Sequence, residues 1–215
     1  FSVPLGTITA FSIALLLNVQ VKGKSLYRSF FYLPSLIPAV AASMVWTFIF
    51  ETRRGILNYG LELLGLPIVQ WLGNPNAAKP ALIIMTMWTV GVPMVIYLAG
   101  LQSIPHEYYE VAEIDGANVW QRLFKITIPL MTPTIFFNFM MSMITAFQVF
   151  NNAFIMTGGG PNNATLFYML HIYNNAFRYF RMGYASALAV LLFLLVLGLT
   201  ILIYRTSDRW VFYNQ

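Results

Sequence analysis

The chain has 215 residues, of which 59% are hydrophobic and only 9% are charged, with a net charge of +5. Soluble domains carry about a quarter charged residues, so this composition excludes an ordinary soluble domain and indicates that many apolar side chains face lipid. The absence of cysteine excludes disulfides and thiolate chemistry. No basic stripe with interleaved aromatics occurs, so nucleic acid is not an expected partner.

Five apolar runs are long enough to cross a bilayer, which takes about 20 residues. Lipid offers the backbone no hydrogen bonds, so each run is predicted to be a helix, and their lack of alternation argues against barrel strands. We predict an all-α, polytopic transmembrane bundle forming one domain over residues 1–215. The predicted spans are residues 3–21, 33–50, 80–101, 133–157 and 184–204.

Proline and glycine, which break helices, are frequent inside the predicted spans, as at Pro34, Pro38, Gly91 and Pro93. In a membrane bundle, neighbouring helices and hydroxyls can satisfy the backbone groups that such residues free. They therefore indicate either irregular packing or bends that shape a central cavity.

The positive-inside rule suggests an orientation with a modest bias. Because five spans place the two chain ends on opposite sides, and the chain begins inside an apolar run, we expect a preceding core helix to be missing. The proposed cytoplasmic side holds Lys22, Lys24, Arg28, Arg122, Lys125, Arg205 and Arg209, and the opposite side holds Arg53, Arg54, Lys79, Arg178 and Arg181.

The longest polar stretch, residues 102–132, lies between the third and fourth spans. Its pattern predicts a short helix from about residue 106 to 115, with acidic residues near the helix start and Gly116 as its stop. A second short helix would carry Trp120, Leu123 and Phe124 before Pro129 leads back to the membrane. The residues alone allow either an ordinary interfacial linker or a rigid knob that docks to a partner.

This stretch resembles the EAA loop of ABC-importer permeases, with Val111 replacing the usual second alanine. The residues that match the motif are Glu110, Ala112, Asp115, Gly116, Ala117, Ile126 and Pro129.

Two further stretches are similar to the maltose and glycerol-phosphate branch of these permeases, so the resemblance covers essentially the whole chain. One stretch is 157–161 (TGGGP), followed by Thr165, Tyr173, Phe177, Gly183, Tyr184, Ala185, Ser186 and Ala187. The other comprises Gly23, Lys24, Tyr27, Arg28, Leu33 and Pro34.

The resemblance implies the type I ABC importer permease fold and a non-catalytic permease subunit that translocates sugars, particularly oligosaccharides, by alternating access. The implied location is the prokaryotic plasma membrane, with the 102–132 loop and the C-terminus cytoplasmic. Expected partners are a cytoplasmic ATPase dimer that binds ATP and Mg, a second permease, an extracellular or periplasmic solute-binding protein, and lipid. ATPase coupling is expected at Glu110, Ala112, Asp115, Gly116, Ala117, Trp120 and Phe124.

The sequence contains no pattern for a nucleotide-binding, metal or catalytic site of its own. Glycines 158–160 lack the Lys and Ser/Thr of a phosphate-binding loop, His106 lacks a second histidine at zinc-binding spacing, and no catalytic constellation occurs. We therefore expect no catalytic, metal or cofactor site in this chain. The alternative function is an ATP-independent channel or facilitator for small polar solutes.

A sugar pathway requires amides, hydroxyls and aromatics rather than charges. Gln148 and Asn152 are four residues apart and are predicted to share one helical face. By resemblance, several others lie near the sugar contacts of the maltose permease, although interhelical hydrogen bonding could equally explain such residues. The candidates are Ser35, Thr86, Gly91, Thr145, Gln148, Asn151 and Asn152.

Overall fold

The computed structural model describes residues 1–19, 23–208 and 210–212, so Lys22, Arg209 and the predicted end of the first span at Val21 lie outside the described residues. Regular secondary structure in this part of the chain is helical, which confirms the predicted all-α class. The α-helices are α1 (Ser2–Asn18), α2 (Lys24–Tyr32), α3 (Ala39–Ile49), α4 (Ile56–Leu63), α5 (Pro75–Trp88), α6 (Gly91–Ser103), α7 (Glu107–Ile114), α8 (Val119–Arg122), α9 (Ile128–Phe147), α10 (Asn151–Met156), α11 (Tyr168–Tyr173) and α12 (Met182–Ser207).

Three shorter helical segments join these helices. A 3₁₀ turn, Leu33–Leu36, follows α2. Two single-turn π-helices, Leu123–Thr127 and Asn174–Arg178, precede α9 and follow α11.

The chain divides into two compact units, and the first comprises Phe1–Ser35, Thr89–Met143 and Gly198–Gln215. Its apolar core forms around α1 and α6, where Ala10 and Ala14, one turn apart, are completely buried together with Met94 and Tyr97. The Phe11 ring packs edge-on against Tyr97, with centroids 5.4 Å apart. Small residues one turn apart allow helix backbones to approach closely, as is typical of membrane bundles.

Helices α6 and α9 also approach each other closely within this unit. A Cβ atom added to Gly100 would lie 2.8 Å from Thr134 Oγ1 and 3.0 Å from Met131 Cε. Glycine at this position therefore sets the distance between the two helices.

The second unit comprises Leu36–Trp88 and Ile144–Leu197. Its core joins Ala42 and Trp46 of α3, Leu82 and Met85 of α5, and Met156 of α10. A buried amide, Asn58, organises the connection after α3. Its Nδ2 donates to Thr52 O (2.9 Å) and Val69 O (2.8 Å), and its Oδ1 accepts from Val69 N (3.2 Å) and Trp71 Nε1 (3.0 Å).

Among the described residues, two helical stretches are each long and apolar enough to cross a membrane: 119–147, which includes α8, the π-helix and α9, and α12. The pairs α2–α3 and α5–α6, each with its short break, pass the same test if each pair is counted as one span. Helix α1 is apolar but shorter. Helix α12 runs without interruption through the predicted fifth span.

The second, third and fourth predicted spans are helical but interrupted, and the interruptions of the second and third lie next to helix-breaking residues for which the sequence allows bends. The second is interrupted before Ala39, next to Pro38, and the third between Trp88 and Gly91. In the third, Pro93 has no N–H to continue the helical ladder. The fourth is interrupted between Phe147 and Asn151, where no proline or glycine lies.

Candidate functional site

The stretch between α6 and α9 forms a helix-turn-helix, here called the knob (residues 107–127). Helix α7 ends in a Schellman motif, in which Ala117 N donates to Ala112 O (2.8 Å) and Gly116 N donates to Glu113 O (3.0 Å). Gly116 has φ +73°, the left-handed conformation that the sequence predicts for it. The helix and its glycine stop are therefore confirmed.

The second half of the knob is more irregular than predicted. Asn118 caps α8 with a capping box: its Oδ1 accepts from Gln121 N (2.9 Å), while Gln121 Oε1 accepts from Asn118 N (2.8 Å). Trp120 lies in α8, but Leu123 and Phe124 lie in the following π-helix. Hydrogen bonds therefore fix the backbone on both sides of the turn at Gly116.

A buried hydroxyl connects the two halves of the knob. Thr127 Oγ1 donates to Arg122 O (3.3 Å) and lies 3.0 Å from Tyr109 Oη, which donates to it. Because Tyr109 is on α7 and Thr127 precedes α9, this contact ties the first helix of the knob to the base of the membrane helix.

The knob presents apolar side chains outward. Trp120 and Phe124 are 68% and 62% exposed, and their rings are stacked with centroids 6.3 Å apart. Val111 and Ile114 of α7 are also exposed. An unpartnered apolar surface on a rigid element is typical of a protein interaction site, which favours the docking interpretation over the linker.

Two ion pairs lie at the knob. Glu110 Oε1 lies 3.1 Å from His106 Nδ1, with both side chains mostly exposed, and Arg122 Nη1 lies 3.3 Å from Glu113 Oε2. Exposed pairs contribute little to stability. The Glu110 carboxylate therefore contacts its own helix rather than the Gly116 turn, and it is accessible to a partner.

The glycine-proline turn (residues 157–165), in the second unit, is closed around a buried threonine. Thr165 is 0% exposed, and its Oγ1 donates to Gly160 O (2.8 Å) and lies 2.6 Å from Thr157 Oγ1. Gly158 and Gly159 have φ +59° and +93°. The turn is thus a compact element rather than a phosphate-binding loop.

Two candidate pathway residues meet in the first unit. Ser35 Oγ donates to Tyr32 O (2.6 Å). A Cβ atom on Gly91 would lie 2.9 Å from Ser35 Oγ and 2.9 Å from Phe31 O. Glycine at position 91 therefore permits the start of α6 to contact the end of α2.

The other five candidates lie in the second unit. Asn152 Oδ1 accepts from the buried Ser43 Oγ at 3.2 Å, so this amide joins α10 to α3. Asn151 is the exposed first residue of α10. Thr86 Oγ1 donates to Ile83 O at 2.7 Å within α5, and Thr145 lies in α9.

The prediction that Gln148 and Asn152 share a helical face was wrong. Gln148 lies in the break after α9, where its N donates to Thr145 O (3.0 Å), whereas Asn152 lies in α10. Because the helix is interrupted between the two residues, a spacing of four does not place them on one helical face.

Three structural interactions were not predicted from the sequence. The capping box of α8 follows an Asn-x-x-Gln pattern, so residues 118–121 contain a signal that could have revealed it. The Tyr109–Thr127 and Ser43–Asn152 contacts join residues 18 and 109 positions apart, and no local pattern indicates either one.

Comparison with known proteins yields many matches, and three of them over nearly the whole chain illustrate the similarity. A family model described as "Binding-protein-dependent transport system inner membrane component" matches residues 2–213. The probable ABC transporter permease protein YesP of Bacillus subtilis (strain 168) is 44% identical over 217 residues, which cover 99% of this chain and 70% of that protein. The trehalose/maltose transport system permease protein MalF of Thermococcus litoralis is 37% identical over 204 residues, covering 93% and 68%.

The fold also matches a solved structure. The crystal structure of a bacterial alginate ABC transporter, in complex with an alginate pentasaccharide-bound periplasmic protein, contains a chain that is similar with a TM-score of 0.85 and 25% sequence identity. The match covers 97% of this chain and 73% of that one.

Proposed function

Because the chain belongs to the family of binding-protein-dependent transport system inner membrane components, we propose that it carries sugars across the membrane and is driven through the knob by a separate ATPase. Family membership and the similarity to the alginate transporter confirm the predicted ABC-importer permease fold and the role of a non-catalytic permease subunit. The alternative of an ATP-independent channel does not fit this family.

The proposal of a sugar substrate is supported by the relatives. MalF of Thermococcus litoralis is named for trehalose and maltose, and the similar solved transporter was crystallised with an alginate pentasaccharide-bound partner. The candidate pathway residues in this chain are amides, hydroxyls and a glycine, which suit hydroxyl-rich solutes.

The single observation that supports ATPase coupling is the exposed apolar surface of the knob. Trp120 and Phe124 form a stacked, exposed pair on an element held by a Schellman motif, a capping box and the Tyr109–Thr127 contact. Aromatic anchors on a rigid support are the side chains that contribute most to protein interfaces. In this proposal the knob is cytoplasmic and docks on one member of an ATPase dimer.

In the proposed cycle, a solute-binding protein delivers the sugar on the opposite side, near the glycine-proline turn. ATP binding closes the ATPase dimer, and the knob converts this closure into a change of access between the two sides. A second, related permease completes the pathway. ATP and Mg bind in the ATPase.

The test is solute-dependent ATP hydrolysis by the complete importer in proteoliposomes, with the cognate binding protein loaded from a panel of oligosaccharides. We expect one sugar class to stimulate hydrolysis and to accumulate inside the vesicles. Uptake that proceeds equally without ATP would contradict the coupling, and stimulation by charged non-sugar solutes alone would contradict the substrate class.

A further inference from the structure

Helix α9 has a weak point in its first two turns, immediately after the knob. Pro133 has no N–H, so the carbonyl of Pro129 loses the donor that a regular helix would supply four residues later. The hydroxyl of Thr132 takes that place and donates to Pro129 O at 2.6 Å. The hydrogen bond to this one carbonyl of α9 therefore comes from a side chain instead of the backbone.

A distant segment binds the same hydroxyl. After α12 ends at Ser207, the chain turns, with Trp210 N and Val211 N donating to Ser207 O at 3.0 and 2.8 Å. Phe212 N then donates to Thr132 Oγ1 at 2.8 Å, across 80 residues of sequence. We call residues 207–212, apart from the undescribed Arg209, the C-terminal strap.

The two hydrogen bonds form one directed chain. A threonine hydroxyl has a single proton and two lone pairs. Since the proton of Thr132 points to Pro129 O, a lone pair is available for the N–H of Phe212. Each bond polarises the next, so the chain is stronger than its separate links.

Apolar contacts hold the strap against α9 as well. Trp210 packs edge-on against Phe136, one turn beyond Thr132, with ring centroids 5.6 Å apart, and Tyr204 of α12 lies 6.5 Å from the same ring. Val211 and Ser207 are both buried. The strap is thus attached to α9 by side chains on both sides of Pro133.

We propose that Thr132 is a positioning residue for transport: with the strap, it braces α9 at its proline so that the knob and the membrane helix move as one body. The proposal rests on the function proposed above. A force applied to the knob would otherwise be absorbed by bending at Pro133, where the regular hydrogen bond is missing. Thr132 itself contacts neither the ATPase nor the solute in this proposal.

The test compares Thr132→Val with Thr132→Ser in the complete importer. Valine keeps the branched shape but removes the hydroxyl, while serine keeps the hydroxyl. The measured quantity is solute transported per ATP hydrolysed in proteoliposomes. Thr132→Val removes both hydrogen bonds of the hydroxyl, and we expect it to lower this ratio about fivefold or more, while the ATPase still co-purifies. Thr132→Ser is expected to keep the wild-type ratio.

A second pair of variants removes the donor without altering α9. Phe212→Pro deletes the N–H, and Phe212→Ala, its control, keeps it. We expect Phe212→Pro to lower the ratio in the same direction as Thr132→Val but by less, and the double variant to be no worse than Thr132→Val alone, because valine already removes the bond that Phe212 N donates. This pair also replaces the first test if Thr132→Val does not fold.

The results separate the two proposals. If the wild-type importer couples uptake to ATP while Thr132→Val and Phe212→Pro keep its ratio, the strap proposal is overturned and the proposed function stands. Additive losses in the double variant would also overturn it. A wild-type importer without ATP-dependent uptake overturns both.

Discussion

The knob and the glycine-proline turn are both built around left-handed glycines, but they direct their side chains in opposite ways. In the knob, Gly116 ends a helix and the aromatic pair Trp120–Phe124 faces outward. In the turn, Gly158 and Gly159 wrap the chain around Thr165, which is fully buried. Left-handed glycines thus occur beside an exposed surface in one region and within a closed loop in the other. The comparison teaches that substitutions in the knob should affect partner binding, whereas substitutions in the turn should affect stability.

The largest expected effect is in the knob, on its exposed aromatic pair. Trp120→Ala should weaken ATPase binding about 30-fold, the cost of about 2 kcal/mol that removal of an aromatic anchor brings. Affinity of the purified permease for the ATPase is the measurement. The matched control is Phe193→Ala, which removes an equally exposed aromatic ring from α12. Equal losses for both variants would contradict a specific docking surface.

The next effect tests the knob's backbone. Gly116→Val should lower ATP-dependent uptake about tenfold, because a β-branched residue in the left-handed region costs about 1–2 kcal/mol. Open space surrounds the position, so the cost is purely conformational. Gly116→Asn should retain uptake, since asparagine tolerates this conformation. Gly198→Val, in α12 and also in open space, is the matched control. A similar loss in that variant would show that the left-handed conformation of Gly116 is not the cause.

The glycine-proline turn should respond in stability. Thr165→Val leaves Gly160 O and Thr157 Oγ1 without their buried partner, which should lower the free energy of unfolding by about 1–3 kcal/mol. Thermal unfolding in detergent measures this change, and Thr165→Ser should remain close to wild type. ATPase affinity should not change. If it fell as it does for Trp120→Ala, the distinction between the two regions would fail.

A smaller effect is expected inside the knob. Tyr109→Phe removes the hydroxyl that contacts Thr127 and should destabilise α7 locally by about 1 kcal/mol. Hydrogen exchange of the α7 amides should become about fivefold faster. Tyr108→Phe, on the exposed side of the same helix, is the control; equal acceleration in both variants would show that the contact has no bracing role.

The smallest effect concerns the exposed pair His106–Glu110. Since both side chains are mostly exposed, His106→Ala should change the free energy of unfolding by less than about 0.5 kcal/mol. Glu110→Gln is expected to leave the free energy of unfolding equally unchanged while weakening ATPase binding. A clear loss of stability in Glu110→Gln would mean that this carboxylate supports the knob itself.

The sequence by itself determined the helical membrane class and much of the knob. The scarcity of charge and the long apolar runs indicated spans, and acidic residues followed by Gly116 predicted a helix with a glycine stop. These features are local: a cap or an apolar run depends on residues that are neighbours in the chain. For that reason composition and spacing were sufficient.

Only the tertiary structure decided which of the spans break and which distant side chains meet. An apolar run shows that side chains avoid water, but it does not show that the backbone is continuous, because residues far away in sequence can satisfy the groups that a break exposes. The Ser43–Asn152 contact joins α3 to α10 after the break, and Phe212 N donates to the hydroxyl that bonds Pro129 O beside Pro133. Their positions depend on the packing of helices against one another, and that packing exists only in the folded chain.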